Sequence, residues 1–314
     1  MLIHFTNDKL EPSLKDVTAD TSPKVHISWG EPMAVSRGGK LAGELVSDFG
    51  LPQGLCVSFC TPVRDGRGRI LVPVQWQKRD TTGELRKLNL PVRGDMPEVM
   101  SDYGEAALLI GEFQGDKLSW RRAGSVPCQS GKTSRGTYEP AIAELASGRL
   151  VAVLRGSNHH WPDKPGYKWL SVSGDGGESW SQITPLPCDD GTLIESSSTG
   201  SAFFRSATDG RLYWIGNLCA DGERPSGWGS NMPRSPIVIA RIREEPFAIE
   251  RSTITTIDTR RPGEHHDVQH SNFKFYQDRR SGDVVVYLTR YGERGYENNA
   301  WILADHYEYR LAMG

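Results

Sequence analysis

The chain has 314 residues and 37 Lys and Arg against 39 Asp and Glu, a formal net charge of -2. That length can bury a large core in one domain. The charge balance gives no reason to expect a nucleic acid or an anionic membrane as partner, and no run of about 18 apolar residues marks a transmembrane helix. Met1 is followed by Leu-Ile-His-Phe-Thr-Asn-Asp, without the basic start and apolar stretch of a secretory signal. The chain therefore reads as cytoplasmic if Met1 is its true start. Cys56, Cys60, Cys128, Cys188 and Cys219 are odd in number and irregularly spaced. They suggest neither a disulfide scaffold nor a zinc site, and read as buried small hydrophobes. No metal or cofactor is expected.

Taken in order, the chain repeats one hairpin. It appears as LCVSFCTPVRDGRGRILVPVQ at 55–75, EPAIAELASGRLVAVLR at 139–155, GSAFFRSATDGRLYWIGNL at 200–218 and HSNFKFYQDRRSGDVVVYLTR at 270–290. Each is a β-rich run, a turn holding Gly68, Gly148, Gly210 or Gly282, and a second β-rich run. Third strands are predicted at 105–113, 168–173, 235–242 and 299–309. In the first three modules a further strand carries an aromatic, Trp120, Trp180 or Phe247. Segment 24–35 reads as the tail of another module. Segment 98–110 reads as a short helix, although Glu105–Phe113 also reads as a strand. Four strands per module, repeated, is the signature of a β-propeller. A β-sandwich would lack the 60–80-residue period.

The octet Ser173-Gly-Asp-Gly-Gly-Glu-Ser-Trp180 has the form S-x-D-x-G-x-x-W. Asp175 can accept backbone N–H bonds within its own turn, Gly176 and Gly177 can take positive φ, and Trp180 offers a ring to bury. This octet resembles the Asp-box of the sialidase (BNR-repeat) β-propellers, and Asp175 and Trp180 are assigned to folding. The resemblance covers about 50–311 and implies an all-β, sialidase-like propeller of five to six four-stranded blades, spanning 1–314 as one domain. Residues 1–30 hold no counterpart of the first-blade arginine and aspartate of that family, which predicts an incomplete first blade.

The pattern E-P-x-x-x-E-L-x-x-G-x-L-x-x-x-x-R runs from Glu139 to Arg155. By resemblance, Glu139 would be the carboxylate that activates the nucleophile, and Arg155 and Arg234 would grip a substrate carboxylate. The planar guanidinium fork suits that task. The bland alternative is that Glu139 and Arg155 only pair across the hairpin. His270 stands where the family carries its tyrosine nucleophile and reads as a general acid or base. Tyr138 is a third catalytic candidate. Its side chain would oppose that of Glu139 along a regular strand, unless the backbone turns. Asn158 and His159, in the loop after Arg155, and Arg290, closing the last hairpin, are further candidates for substrate contact.

The resemblance implies a glycoside hydrolase acting on an acidic or polar glycan, exo-sialidase-like, with a carbohydrate as partner. Two alternatives stay open. One is a propeller-type lyase on uronate glycans, with Arg155, His270 and Tyr138 as neutraliser, base and acid. The other is a glycan-binding propeller without catalysis.

Overall fold

The computed structural model describes residues 61–77, 104–115, 117–127, 131–159, 161 and 163–313, all within the compact unit Gly54–Gly314. Segment 24–35, Cys56, Cys60, Cys128 and His160 lie outside the described residues. The protein is all-β, with four antiparallel sheets of three to five strands, consistent with a sialidase-like β-propeller.

The first sheet holds β1 (Val63–Arg64), β2 (Ile70–Gln77), β3 (Gly104–Gln114) and β4 (Lys117–Ser125) in chain order. The second repeats that meander with β5 (Tyr138–Glu144), β6 (Leu150–Arg155), β7 (Trp169–Ser173) and β8 (Thr184–Pro185). The third runs β9 (Ala202–Arg205), β10 (Leu212–Asn217), β11 (Ile237–Glu244) and β12 (Phe247–Ile249), with β13 (Thr255–Asp258) also beside β11. The fourth is β14 (Lys274–Gln277), β15 (Val284–Thr289) and β16 (His306–Leu311).

The four glycine turns share one closure. Asp65, Leu145, Ser206 and Asp278 each donate N–H to the carbonyl of the residue after the turn glycine, and accept from the N–H of Gly68, Gly148, Gly210 and Gly282. Those glycines have φ of 79°, 78°, 71° and 78°, a region that residues with a Cβ rarely adopt. The next N–H in three of these turns is taken by a side chain of the following sheet. Gly66 donates to Glu144 Oε2 at 2.6 Å, Ala146 to Glu244 Oε2 at 2.6 Å and Ala207 to Gln277 Oε1 at 2.7 Å.

Alternation along the strands places successive residues on opposite faces, and in β5, β6 and β10 both faces are buried. Leu150, Ala152 and Leu154 of β6 pack with Leu71, Leu108 and Ile110 of the first sheet. Val151 and Val153 pack with Phe203, Trp214 and Val238 of the third. Ile215, Ile237 and Ile239 in turn meet Val284, Val286 and Leu288 of the fourth. Burying each such aliphatic side chain contributes ~1.5–3 kcal/mol.

The octet turn forms as its residues suggest. Asp175 Oδ1 accepts from Ser173 Oγ at 2.8 Å and Ser179 N at 2.9 Å, Oδ2 accepts from Ser179 Oγ, and these bonds hold the carboxyl far below its ordinary range. Trp180 is buried between the first two sheets. It sits in the turn ahead of β8 and not on a fourth strand as predicted. Gly124 of β4 donates its N–H to Gly177 O at 2.9 Å, and a Cβ at Gly124 would lie 2.0 Å from Glu178 O.

Two other expectations need correction. From Gly104 onward the helix candidate is a strand, since its apolar run pairs with β2 along its length. Within the predicted final strand, Glu297–Ile302 is instead a 3-10 helix with Asn298 at φ 51°, and β16 starts only at His306.

Candidate active site

The β5–β6 hairpin positions the first part of the site. Tyr138 pairs with Arg155 and Ala141 with Val153, so Glu139 and Pro140 form a bulge between two registers. Glu139 takes φ 47°, and its N–H donates to the Gln75 side chain of β2. A bulge re-aims side chains, and this one lets Tyr138 and Glu139 approach the same guanidinium. Glu139 Oε1 accepts from Arg155 Nη1 at 2.7 Å, while the Arg155 guanidinium carbon lies 4.9 Å from the centre of the Tyr138 ring.

The rest of the cluster comes from two loops. Ser198, in the loop before β9, accepts from Arg155 Nε at 3.1 Å and is 3.0 Å from the Tyr138 hydroxyl. Asn231, in the loop before β11, links two arginines: its Oδ1 accepts from Arg155 Nη2 at 2.8 Å and its carbonyl from Arg234 Nε at 3.1 Å. Ser198 N donates to Ser230 O at 2.7 Å, which ties the two loops together. Arg234 Nη1 donates to Gln269 Oε1 and Ser271 Oγ, each at 3.0 Å.

Counting hydrogen bonds among the described residues separates the three arginines, since a guanidinium has five N–H groups. Arg155 spends three on Glu139, Ser198 and Asn231, leaving one N–H on each terminal nitrogen. Arg234 spends Nε and both N–H groups of Nη1 on neutral acceptors, leaving Nη2. Arg290 is committed through both terminal nitrogens, and only its buried Nε lacks a hydrogen bond. Its Nη1 meets Asp258, Thr259 O and His270 Nε2, its Nη2 donates to both oxygens of Glu264 at 2.7 Å, and its Nε lies 3.4 Å from Glu293.

The electrostatics follow. Burial alone would lower the Arg155 guanidinium, but Tyr138 and Glu139 outweigh it and the net shift is upward. Arg234 is pushed down to about 10, first by burial and then by the like charge of Arg155. Among the described residues Arg234 has no ion-pair partner, and Glu139 Oε2 is buried without a hydrogen-bond partner.

A residue that sequence reasoning passed over lies beneath this cluster. Lys168 is 2% exposed and donates to Ser197 O at 3.3 Å, Thr199 Oγ1 at 2.7 Å and Thr199 O. Burial, then the charge of Arg155, lowers its ammonium to about 7. In the sequence it is one polar residue at the start of a β-rich run. Only the packing of the 196–199 loop makes it interior.

The structure does not bring His270 and Arg290 into this cluster as open groups. Both are 0% exposed. His270 Nε2 faces Arg290 Nη1 at 2.6 Å and Asp258 at 3.5 Å, and burial pushes the imidazole down to about 4. Asn158 and His159 are buried too: Asn158 Nδ2 donates to Lys164 O at 2.5 Å, and His159 Nδ1 lies 3.1 Å from Gly227 O. The first bond closes the loop after Arg155 on itself, and the second holds it against the Asn231 loop.

The chain matches no family model and no curated protein. Among solved structures it resembles the NanB sialidase of Streptococcus pneumoniae, at 16% identity and TM-score 0.46, over 80% of this chain and 30% of that one. It also resembles the intramolecular trans-sialidase of Ruminococcus gnavus, at 17% identity and TM-score 0.47, over 81% of this chain and 43% of that one. A protein of unknown function from Dyadobacter fermentans matches at 17% identity and TM-score 0.47, over 79% of this chain and 51% of that one. The chain thus spans about a third to a half of the length of these proteins. The likeness is one of fold.

Proposed function

We propose that this protein is a glycoside hydrolase of sialidase type, acting on a glycan whose terminal sugar carries a carboxylate. The observation that carries the reading is the donor count. Among the described residues Arg155 and Arg234 share Asn231, hold unspent N–H groups, and have one carboxylate, Glu139, between them. Two half-satisfied guanidinium groups beside a single carboxylate leave positive charge for an anionic ligand to neutralise. A sugar carboxylate bound there would set the adjacent glycosidic carbon near Glu139. The uncommitted Oε2 then serves as the base that takes a proton from an attacking water, whose oxygen bonds the glycosidic carbon as the C–O bond to the leaving sugar breaks and that leaving oxygen takes a proton from solvent. Tyr138 frames Arg155 from below. Asn158, His159, His270 and Arg290 support the loops and do not touch substrate.

The test is hydrolysis of 3'-sialyllactose and of uronate oligosaccharides by the purified protein. Released reducing sugar that disappears in Glu139→Gln supports the proposal. An unsaturated, ultraviolet-absorbing product would instead indicate elimination, and binding without turnover would remove the catalytic role.

A further inference from the structure

Lys168 is not needed by the roles just described, yet it lies beneath them. Its three bonds go to Ser197 and Thr199, the two neighbours of Ser198. Ser198 is the residue that holds Arg155 Nε and the Tyr138 hydroxyl. An ammonium has three N–H groups and fills all three acceptors. A neutral amine has two, so deprotonation frees one loop oxygen and turns a lone pair toward it.

Resting on the reading of the site as a carboxylate clamp, we propose that Lys168 is its positioning residue: the ammonium pins the Ser197–Thr199 segment so that Ser198 aims Arg155, and carboxylate binding is thereby linked to a proton. Among the described residues, the charged groups that face Lys168 are Arg155 of β6, Arg234 ahead of β11 and Glu139 of β5. Cys219, beyond β10, stays neutral because burial pushes its thiol up to about 12. Two cations against one anion favour the neutral amine in the empty site. A bound carboxylate adds a second negative charge and favours the ammonium. By linkage, whatever raises the proton affinity of Lys168 on binding also weakens binding once the free amine has lost its proton. Since that loss is centred near 7 in the free protein, the coupling falls at neutral pH.

The experiment is calorimetric titration with N-acetylneuraminate from pH 6 to pH 8, in buffers of differing ionisation enthalpy. For wild type, affinity falls about tenfold across that range and binding takes up protons at pH 7.5. Lys168→Arg keeps its charge throughout and flattens the profile. Lys168→Met binds at every pH at least as weakly as wild type does at pH 8. A merely structural lysine would give variants with parallel pH profiles, and that result overturns the inference while leaving the clamp intact. Zero proton uptake by wild type overturns it without recourse to any variant. No binding by wild type at any pH overturns the clamp itself, and the inference with it.

Discussion

Glu139 and Arg155 meet at 2.7 Å across the β5–β6 hairpin, and the bond depends on Glu139 sitting in a bulge at φ 47°. A non-glycine residue there costs on the order of 1–3 kcal/mol, which the pairing to Arg155 and the bond to Gln75 offset. Glu139→Gln keeps the shape and removes the charge. Turnover of 3'-sialyllactose is expected to fall by about 10²–10⁴. Affinity for N-acetylneuraminate should hold or rise, because a negative charge leaves the clamp. Paired rate and calorimetric measurements check this, and loss of both together would mean that Glu139 only shapes the site.

Arg234→Met separates binding from stability. The guanidinium is half-buried with neutral acceptors only. Removing a poorly compensated buried charge is often neutral or stabilising. The thermal midpoint should stay level or rise, while carboxylate affinity drops by about 10–100-fold for a lost charge-assisted bond. A large fall in midpoint would make Arg234 structural.

Arg290→Met should act in the opposite way. Asp258, Glu264 and Glu293 would lose the cation they share, and Tyr309 and His270 would keep only part of their network. Breaking such a buried set costs about 3–5 kcal/mol, read as a shift in denaturant midpoint. Arg290→Lys should recover only part, since three ammonium N–H groups cannot fill the five acceptor atoms that Asp258, Thr259, His270 and Glu264 turn to the guanidinium. Full recovery would show that charge alone suffices.

His270 makes stability depend on pH. Its imidazole titrates at about 4 in the folded protein, below the ordinary 6.5. Between those values the unfolded chain binds the proton and the folded one does not, so stability is full above pH 6.5 and declines as pH falls toward 4. The two values differ by about 3 kcal/mol of proton-binding free energy. His270→Gln should lose that slope, so the wild-type-minus-variant difference in unfolding free energy shrinks from pH 7 to pH 4. A constant difference would place His270 in a solvated setting.

Much of the fold was legible because it rests on local chemistry. Gly68, Gly148, Gly210 and Gly282 announce turns that only glycine closes easily, and the runs around them alternate. The Glu139–Arg155 pair was legible for the same reason, as both lie on one hairpin. Asn231, Ser198 and Lys168 were not. Asn231 and Ser198 lie in loops that carry no periodic signal, Lys168 only opens a β-rich run, and their roles exist only once the loops fold against one another. Arg290 misled because its location at a strand end says nothing of Asp258 and Glu264, which arrive from β13 and the loop beyond it. The 3-10 helix at Glu297–Ile302 was missed because Trp301, Ile302 and Leu303 look like strand residues, although they are exposed.

The shared closure of the four turns has a consequence for how such a chain changes over generations. Backbone atoms make the bonds, so Asp65, Leu145, Ser206 and Asp278 can occupy equivalent places with unlike side chains. The turn glycine is constrained in all four, and in three of them the Asp65, Ser206 or Asp278 side chain also accepts N–H groups of its own turn. The glycine lies three residues after Asp65 and Leu145 and four after Ser206 and Asp278, so a genetic crossover between turns of like length would join two halves whose connection agrees in geometry. The turns are natural joints, at which the protein can gain, lose or exchange a whole sheet without redesigning the connection.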